Sequence, residues 1–191
     1  KMEFGPRALG SRSIIADPRP KDMQVKLNLK IKFRESFRPF APAILKEKVS
    51  EYFQENIDNP YMLFICNLIE KHKSSSQFNY QGMDKLKNVE NSIPSVTHVD
   101  NTARVQTVSK EDNKIFYELI YNFNELTGIP MLINTSFNIR GEPIVASPED
   151  AIKCFLGTNI DILVLQNYVI YKNEIPPELI NNKFKDSYEK D

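Results

Sequence analysis

The chain has 191 residues, of which 41% are hydrophobic and 26% are charged, a globular composition that excludes a coiled coil or disorder over most of its length. No apolar run approaches the ~18 residues that a membrane span requires. The 25 basic and 25 acidic residues cancel, but residues 1–38 alone hold ten basic and four acidic residues, a formal charge of +6. The sequence therefore predicts a soluble protein whose positive charge is concentrated near its N-terminus.

The positions of glycine and proline residues divide the chain into three expected segments. Residues 1–20, with five such residues, are expected to be an irregular connector that carries a short strand over 13–16. Residues 21–175 are expected to form one α/β domain, on the border of α+β, with a mixed sheet and flanking helices. Residues 176–191 are predicted to be a solvated C-terminal tail. Because the chain starts at a lysine without a signal peptide, we interpret it as a fragment of a longer polypeptide.

The two cysteines point to a reducing compartment. Cys66 and Cys154 each lie in an apolar run, far apart and without the spacing of metal ligands. We expect buried, reduced thiols rather than a disulfide. This usage fits a cytoplasmic protein.

Hydrophobic spacing predicts the elements of the first half of the domain. A helix is expected over 21–30, followed by extended chain, although the same residues also alternate as a strand would. Residues 39–45 are expected to form a strand whose prolines place it at a sheet edge or at a strand start, and residues 47–54 a short helix. Residues 61–69 are predicted to be a buried strand. The aperiodic stretch 70–95 is expected to be a mobile loop that a ligand or partner orders.

The next elements are a strand-like segment and a capped helix. Residues 96–108 are strand-like at both ends. After them, Ser109 and Asp112 are expected to form a capping box that opens a helix, and Gly128 is expected to close it. The predicted buried face of this helix consists of Ile115, Leu119, Phe123 and Leu126.

The last part of the domain is predicted to alternate strands with one more helix. Residues 131–135 are expected to be a buried strand, followed by a polar turn and a short strand at 144–146. Ser147, followed by proline and acidic residues, predicts the start of a helix that Gly157 ends. Two final strands are expected to form a hairpin that turns at Asn167.

Arginine is scarce in this chain and therefore informative. Lys outnumbers Arg by 18 to 7, yet five of the seven Arg residues lie within residues 1–38. Arg offers the bidentate recognition of phosphate or carboxylate that Lys cannot replace. In extended chain, Lys32 and Arg34 share one face of a strand, and Arg38 follows close behind. We predict that these cations bind a triphosphate; a solvated basic sheet edge is the alternative.

A second candidate site follows the predicted strand at 131–135. Ser136 and Asn138 alternate, so that a hydroxyl and an amide can face one pocket and contact a phosphate or a ribose. Ligands bind at such strand ends in α/β sheets, and Arg140 lies two residues further on. A turn in which Ser136 and Asn138 bond their own backbone is the alternative. The nearby cations favour the binding site.

Two more segments carry candidate residues. His98 and Arg104 lie in a polar cluster, and one His with one Asp does not make a metal site, so no metal ligand is predicted. A structural hydrogen bond is the expected role of His98, with general acid as the alternative, whereas Arg104 is expected to contact an anion. Arg7 lies in a glycine-containing segment that matches no phosphate-loop motif. This segment can serve as a rigid connector, as an anion contact, or as both.

Four stretches identify a family by resemblance. Residues 1–19, 31–42, 98–108 and 127–145 closely resemble, in this order, the C-terminal region of the carbamoyltransferases of the nodulation and antibiotic-tailoring type (NodU-, CmcH- and TobZ-like). The resemblance covers residue 1 to about residue 172. It implies a YrdC-like domain, a twisted mixed sheet with a positively charged concave face. In the family this domain follows a Kae1-like domain of the actin-related ATPase class, which this chain lacks.

The resemblance also implies an activity. A domain of this kind takes ATP with Mg²⁺ and carbamoyl phosphate and forms carbamoyl-adenylate. The Kae1-like domain of the same polypeptide, which holds iron, then transfers the carbamoyl group to a hydroxyl of a sugar or another natural product. The iron ligands belong to that domain, so none is expected here.

The family's functional residues map onto positions discussed above. The catalytic lysine and arginines correspond to Lys32, Arg38 and Arg104, the Ser-x-Asn pair corresponds to Ser136 and Asn138, and Arg34 completes the Lys-x-Arg of the wider YrdC group. Binding of RNA or another polyanion is the alternative function, which the zero net charge and the lack of a long basic stripe disfavour. A homodimer is left open.

Overall fold

The computed structural model describes residues 3–73, 81, 82, 84 and 90–180. The strands of these residues are β1 (Ser13–Ala16), β2 (Ala41–Leu45), β3 (Ile65–Asn67), β4 (Thr102–Arg104), β5 (Gln106–Val108), β6 (Met131–Ser136), β7 (Ile162–Leu165) and β8 (Tyr168–Tyr171).

The helices connect and cover these strands. Helix α1 (Met23–Lys26) continues directly into a π-helical turn over Leu27–Lys32. Helix α2 spans Lys114–Thr127 and helix α3 spans Pro148–Leu156. Short 3₁₀ turns lie at Lys46–Glu51, Glu70–His72, Pro94–Val96, Lys172–Glu174 and Pro177–Leu179. Within the described ranges, no helix is long and apolar enough to cross a membrane.

Four strands form the main sheet in the order β1-β6-β2-β5. Strand β6 pairs antiparallel with both β1 and β2, whereas β2 pairs parallel with β5. This mixed sheet with flanking helices confirms the predicted fold class. Strands β3 and β4 form a separate antiparallel pair, and β7 and β8 form the predicted hairpin, whose turn includes Asn167.

The side chains of the main sheet alternate between two apolar cores, as strand geometry requires. Helix α2 covers one face, where the buried core consists of Ala43, Leu45, Val108, Phe116, Ile120 and Leu132. The larger core includes Ile44 and Ile133 from the opposite face, together with residues of the π-helical turn and of α3. The N-terminal segment packs over the α2 face, because Gly10 lies against the ring of Phe116.

Gly10 provides a stability test of this packing. Its φ is +117°, and a Cβ atom at this position would overlap the Phe116 ring. Gly10→Ala is therefore expected to lower the free energy of unfolding by about 2–3 kcal/mol, through overpacking and backbone strain. Urea denaturation measures this loss. The control is Gly5→Ala, where φ is also positive but no atom lies within 4 Å of the added Cβ; equal losses in both variants would show that the ring contact contributes nothing.

Several predicted boundaries and caps are confirmed. Strand β1 has the predicted bounds. Ser147 caps α3 in a capping box with Asp150, and Gly157 ends this helix. Gly128 ends α2 in the left-handed conformation. Cys66 and Cys154 are both buried free thiols.

The segment after α1 differs from its prediction. Helical structure extends to Lys32, and Phe33 adopts a left-handed conformation with φ 50°, so Lys32 and Arg34 do not lie on one face of a strand. The strand at 39–45 begins at Ala41 and lies inside the sheet rather than at its edge. Pro42 fits there because the pairing of β2 with β5 begins only at Ala43.

The predicted buried strand over 61–69 is also wrong. Only Ile65–Asn67 is a strand, and its neighbours Tyr61, Leu63 and Phe64 are exposed. Cys66 and Leu68 do pack into the core, as predicted. The composition is that of a buried strand, but β3 pairs on one side only, with β4. Most of the predicted mobile loop over 70–95 lies outside the described residues, as does the end of the predicted tail.

Helix α2 buries a different face from the predicted one. Phe116 and Ile120 are buried, whereas Ile115, Leu119 and Leu126 are exposed. Of the four predicted residues, Phe123 is partly buried and packs against this core. The helix has two apolar stripes, and the bulkier aromatic stripe packs on the sheet. Its N-cap is Asn113, whose side chain accepts from the Phe116 N–H, so the Ser109–Asp112 pair forms a turn before the helix. Two predicted strand segments, at 96 and at 144–146, are not strands.

Candidate anion-binding site

A cavity of about 210 Å³ lies between the N-terminal segment and the ends of β2, β4 and β6. Three arginines line it, together with small and polar residues of the sheet; its wall consists of Pro6, Arg7, Ala8, Arg34, Pro39, Phe40, Ala41, Met62, Arg104, Asn134, Thr135 and Ser136. We call it the arginine cavity. It brings together four predicted site residues that are far apart in sequence: Arg7, Arg34, Arg104 and Ser136.

Arg34 is held in place by two contacts. Its Nε donates to Asn28 Oδ1 at 2.7 Å, and its guanidinium lies 4.9 Å from the centroid of the Phe40 ring. Burial, the charge of Arg38 and the charge of Arg104 lower the pKa of Arg34 to about 10. The arginine therefore stays protonated at neutral pH, but its charge is partly desolvated, and the charge of Glu35 offsets only part of the repulsion from the other two arginines.

Arg104 is the least satisfied cation of the cavity. It ends the short strand β4, and its Nε is buried with no hydrogen-bond partner among the residues that the structure describes. Burial and the charge of Arg7 lower the pKa of Arg104. A buried unpaired donor costs about 1–3 kcal/mol, and like charges facing one cavity add to this cost. Such an arrangement is typical of a site that an anionic ligand completes.

Asn28 organises the segment that carries the cations, and the sequence analysis missed it. It is fully buried in the π-helical turn, and its Nδ2 donates to the carbonyl groups of Ser36 and Arg38 at 3.1 and 2.9 Å. Its Oδ1 accepts from Arg34. One amide therefore fixes the loop over 34–38 to the turn that positions Lys32. A polar residue between two leucines was the available signal.

Lys32 reaches the other predicted motif. The residue is 4% exposed, and its ammonium group donates to Ser136 O at 2.7 Å, Asn138 O at 2.8 Å and Asn138 Oδ1 at 2.7 Å. The hydroxyl of Ser136 lies 3.2 Å from the same nitrogen. Burial and the charge of Arg34 lower the pKa of Lys32 to about 7. The structure thus joins Lys32, Ser136 and Asn138 in one buried cluster, the lysine clasp, which adjoins the arginine cavity through Ser136.

Arg38 and Arg140 lie outside the wall of the arginine cavity. Arg38 is half exposed and forms an ion pair with Glu35 through its Nε at 2.9 Å. Arg140 contacts the other oxygen of the same carboxylate at 3.4 Å. One acidic residue therefore holds two of the predicted phosphate contacts at the surface beside the clasp.

His98 lies in the turn before β4 rather than in the cavity wall. Its Nδ1 is 3.0 Å from the Thr102 hydroxyl, which donates to Asp100 Oδ1 at 2.7 Å. Burial lowers the pKa of His98, so the imidazole is neutral at physiological pH. These contacts match the structural hydrogen bond that the sequence predicts.

Asn134 is a second residue that the sequence analysis missed. It is 1% exposed and lines the arginine cavity. The signal was an asparagine that directly follows three apolar residues of the strand, two positions before Ser136 of the Ser-x-Asn motif. Within the described residues, no group of three or more His, Cys, Asp or Glu residues could hold a metal ion.

Comparison with known proteins identifies the family of this chain. Residues 1–172 match the family model described as carbamoyltransferase C-terminus. The chain is 49% identical to an uncharacterized protein of Synechocystis sp., over 100% of this chain and 32% of that protein. It is 42% identical to nodulation protein NolNO of Sinorhizobium fredii, over 93% and 24% of the two chains, and 38% identical to nodulation protein U of Rhizobium tropici, over 94% and 27%.

The matches are confined to one part of these relatives. The chain spans about a quarter to a third of the length of the curated relatives it matches. The family model, in contrast, covers nearly all of the chain, including the arginine cavity and the lysine clasp. The chain therefore belongs to the carbamoyltransferase C-terminal family, as a domain like that of the nodulation protein U group.

Proposed function

We propose that this domain binds carbamoyl phosphate and ATP and forms carbamoyl-adenylate. One observation carries the proposal: three arginines face a cavity that is too small for a nucleotide, and a buried donor of Arg104 has no partner there. Pockets for drug-sized ligands measure about 300–1,000 Å³, so a cavity of about 210 Å³ suits a small anion. For a carbamoyltransferase domain, the small anion of matching chemistry is carbamoyl phosphate.

The proposed reaction balances without a cofactor that the chain would have to hold. Water first cleaves carbamoyl phosphate to carbamate and inorganic phosphate. A carbamate oxygen then attacks the α-phosphorus of ATP, and the bond from this phosphorus to the bridging oxygen breaks, releasing pyrophosphate. The protein has to hold the anions in line and to stabilise the charge that develops. Arg7, Arg34 and Arg104 supply that charge around the acyl anion.

The triphosphate is assigned to the clasp side of the cavity. Lys32, Ser136 and Asn138 form the lysine clasp, and Arg38 and Arg140 lie at the surface beside it. Arg38 and Arg140 offer cations that suit phosphate oxygens. Within the clasp, the Ser136 hydroxyl donates to Asn138 Oδ1 at 2.6 Å and Asn138 Nδ2 donates to Glu142 O at 2.7 Å, so a bound nucleotide would exchange these bonds for its own oxygens. Mg²⁺ would enter bound to the phosphates of ATP, and the ion would keep most of its own water ligands.

The second half-reaction belongs to another part of the polypeptide. We propose that an upstream Kae1-like domain, with its iron, transfers the carbamoyl group to a hydroxyl of a sugar or another natural product. ATP and carbamoyl phosphate are both cytoplasmic metabolites, so the enzyme is assigned to the cytoplasm.

Exchange of labelled pyrophosphate into ATP tests the proposal. The full-length protein is expected to catalyse this exchange only when carbamoyl phosphate and Mg²⁺ are present, because the adenylate must form reversibly for label to enter ATP. Arg104→Lys keeps the charge but loses the planar fork, and we expect it to lower the exchange rate about 100-fold.

The matched control for this test is Arg19→Lys. Arg19 is exposed and paired with Asp17 away from the cavity, so this variant should retain the wild-type rate. Exchange that does not depend on carbamoyl phosphate, or an Arg104→Lys variant as active as wild type, would contradict the proposal. Binding of RNA that falls steeply with salt, without any exchange, would instead favour the polyanion-binding alternative.

A further inference from the structure

The wall of the arginine cavity contains an acceptor as well as donors. Asn134 lies on β6 in register with Ala41 of β2 and Ile15 of β1, on the sheet face that the N-terminal segment covers. Its Oδ1 is buried and, within the described part of the chain, has no hydrogen-bond partner. Leaving a buried acceptor unpaired is unfavourable, and a phosphate, which presents only acceptor oxygens when ionised, cannot satisfy it.

The orientation of the Asn134 amide is fixed by its neighbours. Its Nδ2 donates to Ala8 O at 3.0 Å and to Gln106 Oε1 at 2.6 Å. The amide of Gln106 is itself oriented, because its Nε2 donates to Leu9 O at 3.1 Å. A flipped Asn134 would place its oxygen against two other acceptors. The atom that Asn134 leaves for a ligand is therefore the oxygen.

A ligand that satisfies the cavity has to combine two features. It needs anionic oxygens for the three arginines, including the free Nε of Arg104, and it needs an N–H group for Asn134 Oδ1. Among small acyl phosphates, the carbamoyl group provides a planar amide with two N–H donors. Acetyl phosphate has nearly the same shape and charge but presents a methyl group at that position.

We propose that Asn134 is the residue that selects carbamoyl phosphate over other acyl phosphates, by accepting a hydrogen bond from the carbamoyl amide at its Oδ1. This assignment rests on the proposed function, because it takes carbamoyl phosphate as the ligand of the arginine cavity. The arginines bind the phosphate and carbonyl oxygens of either acyl phosphate. Asn134 alone distinguishes the amide from the methyl group.

Two ligands and two variants test this assignment in the full-length protein. By isothermal titration, wild type is expected to bind carbamoyl phosphate about 10- to 100-fold more tightly than acetyl phosphate, because the methyl group leaves the buried acceptor unpaired. In Asn134→Leu, which keeps the shape but removes the acceptor, this ratio is expected to fall to about 1. Inorganic phosphate serves as the reference for the arginines alone.

The control variant is Asn59→Leu. Asn59 is also a buried asparagine, 2% exposed, but both ends of its amide are paired, with Val105 O and Phe64 O on one side and Leu63 N on the other. Asn59 lies outside the cavity wall, so folded Asn59→Leu protein should still bind carbamoyl phosphate more tightly than acetyl phosphate. The ratio of the two affinities in the wild-type protein tests the assignment even where a variant fails to fold. Equal binding of both acyl phosphates by wild type would overturn the role of Asn134 alone, whereas binding of neither would overturn the proposed function with it.

Discussion

Replacing Arg104 with methionine is expected to stabilise the fold while it abolishes anion binding. Methionine keeps the aliphatic packing but removes a charge that faces Arg7 and Arg34 and a buried Nε that lacks a partner. Relief of that unpaired donor should raise the free energy of unfolding by about 1 kcal/mol. Binding of carbamoyl phosphate should weaken at least about 100-fold. Urea denaturation and isothermal titration measure the two effects in parallel.

A matched variant separates this effect from the general loss of a surface charge. Arg19 is 44% exposed and forms an ion pair with Asp17 at 2.6 Å, so Arg19→Met should change stability by less than ~1 kcal/mol and leave binding intact. An Arg104→Met protein that is destabilised and still binds carbamoyl phosphate normally would show that Arg104 is a structural residue.

The second large effect is expected at Lys32, with the opposite sign for stability. Lys32→Met should lower the free energy of unfolding by about 3–5 kcal/mol, since it leaves the carbonyl groups of Ser136 and Asn138 buried without their donor. The control is Lys26→Met, because Lys26 is exposed and forms a surface ion pair with Asp22. If both lysine variants lost the same small amount, the lysine clasp would not be a stabilising element.

The pH dependence of stability provides an independent test of the low pKa of Lys32. Burial lowers the pKa of Lys32 to about 7 in the folded protein, from 10.5 for an unperturbed lysine. Between these values the unfolded chain holds a proton that the folded chain has released, so stability rises with pH in this window. From pH 7 to 8.5 the free energy of unfolding should increase by about 1.5 kcal/mol in wild type and stay flat in Lys32→Met.

Other titrating groups set the limits of that measurement. Burial lowers the pKa of His72 and of His98, so their contributions to stability are complete above pH ~6.5. Burial raises the pKa of Cys66 and of Cys154, which lowers stability only above pH ~8.5. A wild-type profile that falls between pH 7 and 8.5 would contradict the low pKa of Lys32.

The parts of the fold that the sequence predicted correctly are those governed by local chemistry. Ser147 caps α3 and Gly157 ends it, because both depend on the few residues around a helix terminus. The hairpin of β7 and β8 follows from alternation on both sides of a short turn. The family motifs predicted the meeting of Lys32 with Ser136 and Asn138 across the sheet, although the local conformation at Lys32 differs from the prediction.

Two of the errors have a different cause, because they depended on which surface of an element meets the rest of the protein. Helix α2 has two apolar stripes, and only the sheet determines that Phe116 is buried while Leu119 is exposed. The segment around β3 is as apolar as a core strand but pairs on one side only. Asn134 was missed because its role depends on Ala8 and Gln106, which are distant in sequence.

The strand order sets the time at which the site can form during synthesis. Strand β6 joins β1 to β2, and Lys32 contacts Ser136, which lies 104 positions later in the chain. At translation rates of about 5–20 residues per second, roughly 5 to 20 s separate these two residues at the ribosome. Until β6 emerges, the first 45 residues have neither their central strand nor an acceptor for the lysine, and such non-local pairing is slow to form. The ribosome therefore synthesises all three arginines of the cavity before Asn134, the residue proposed to select carbamoyl phosphate over other acyl phosphates.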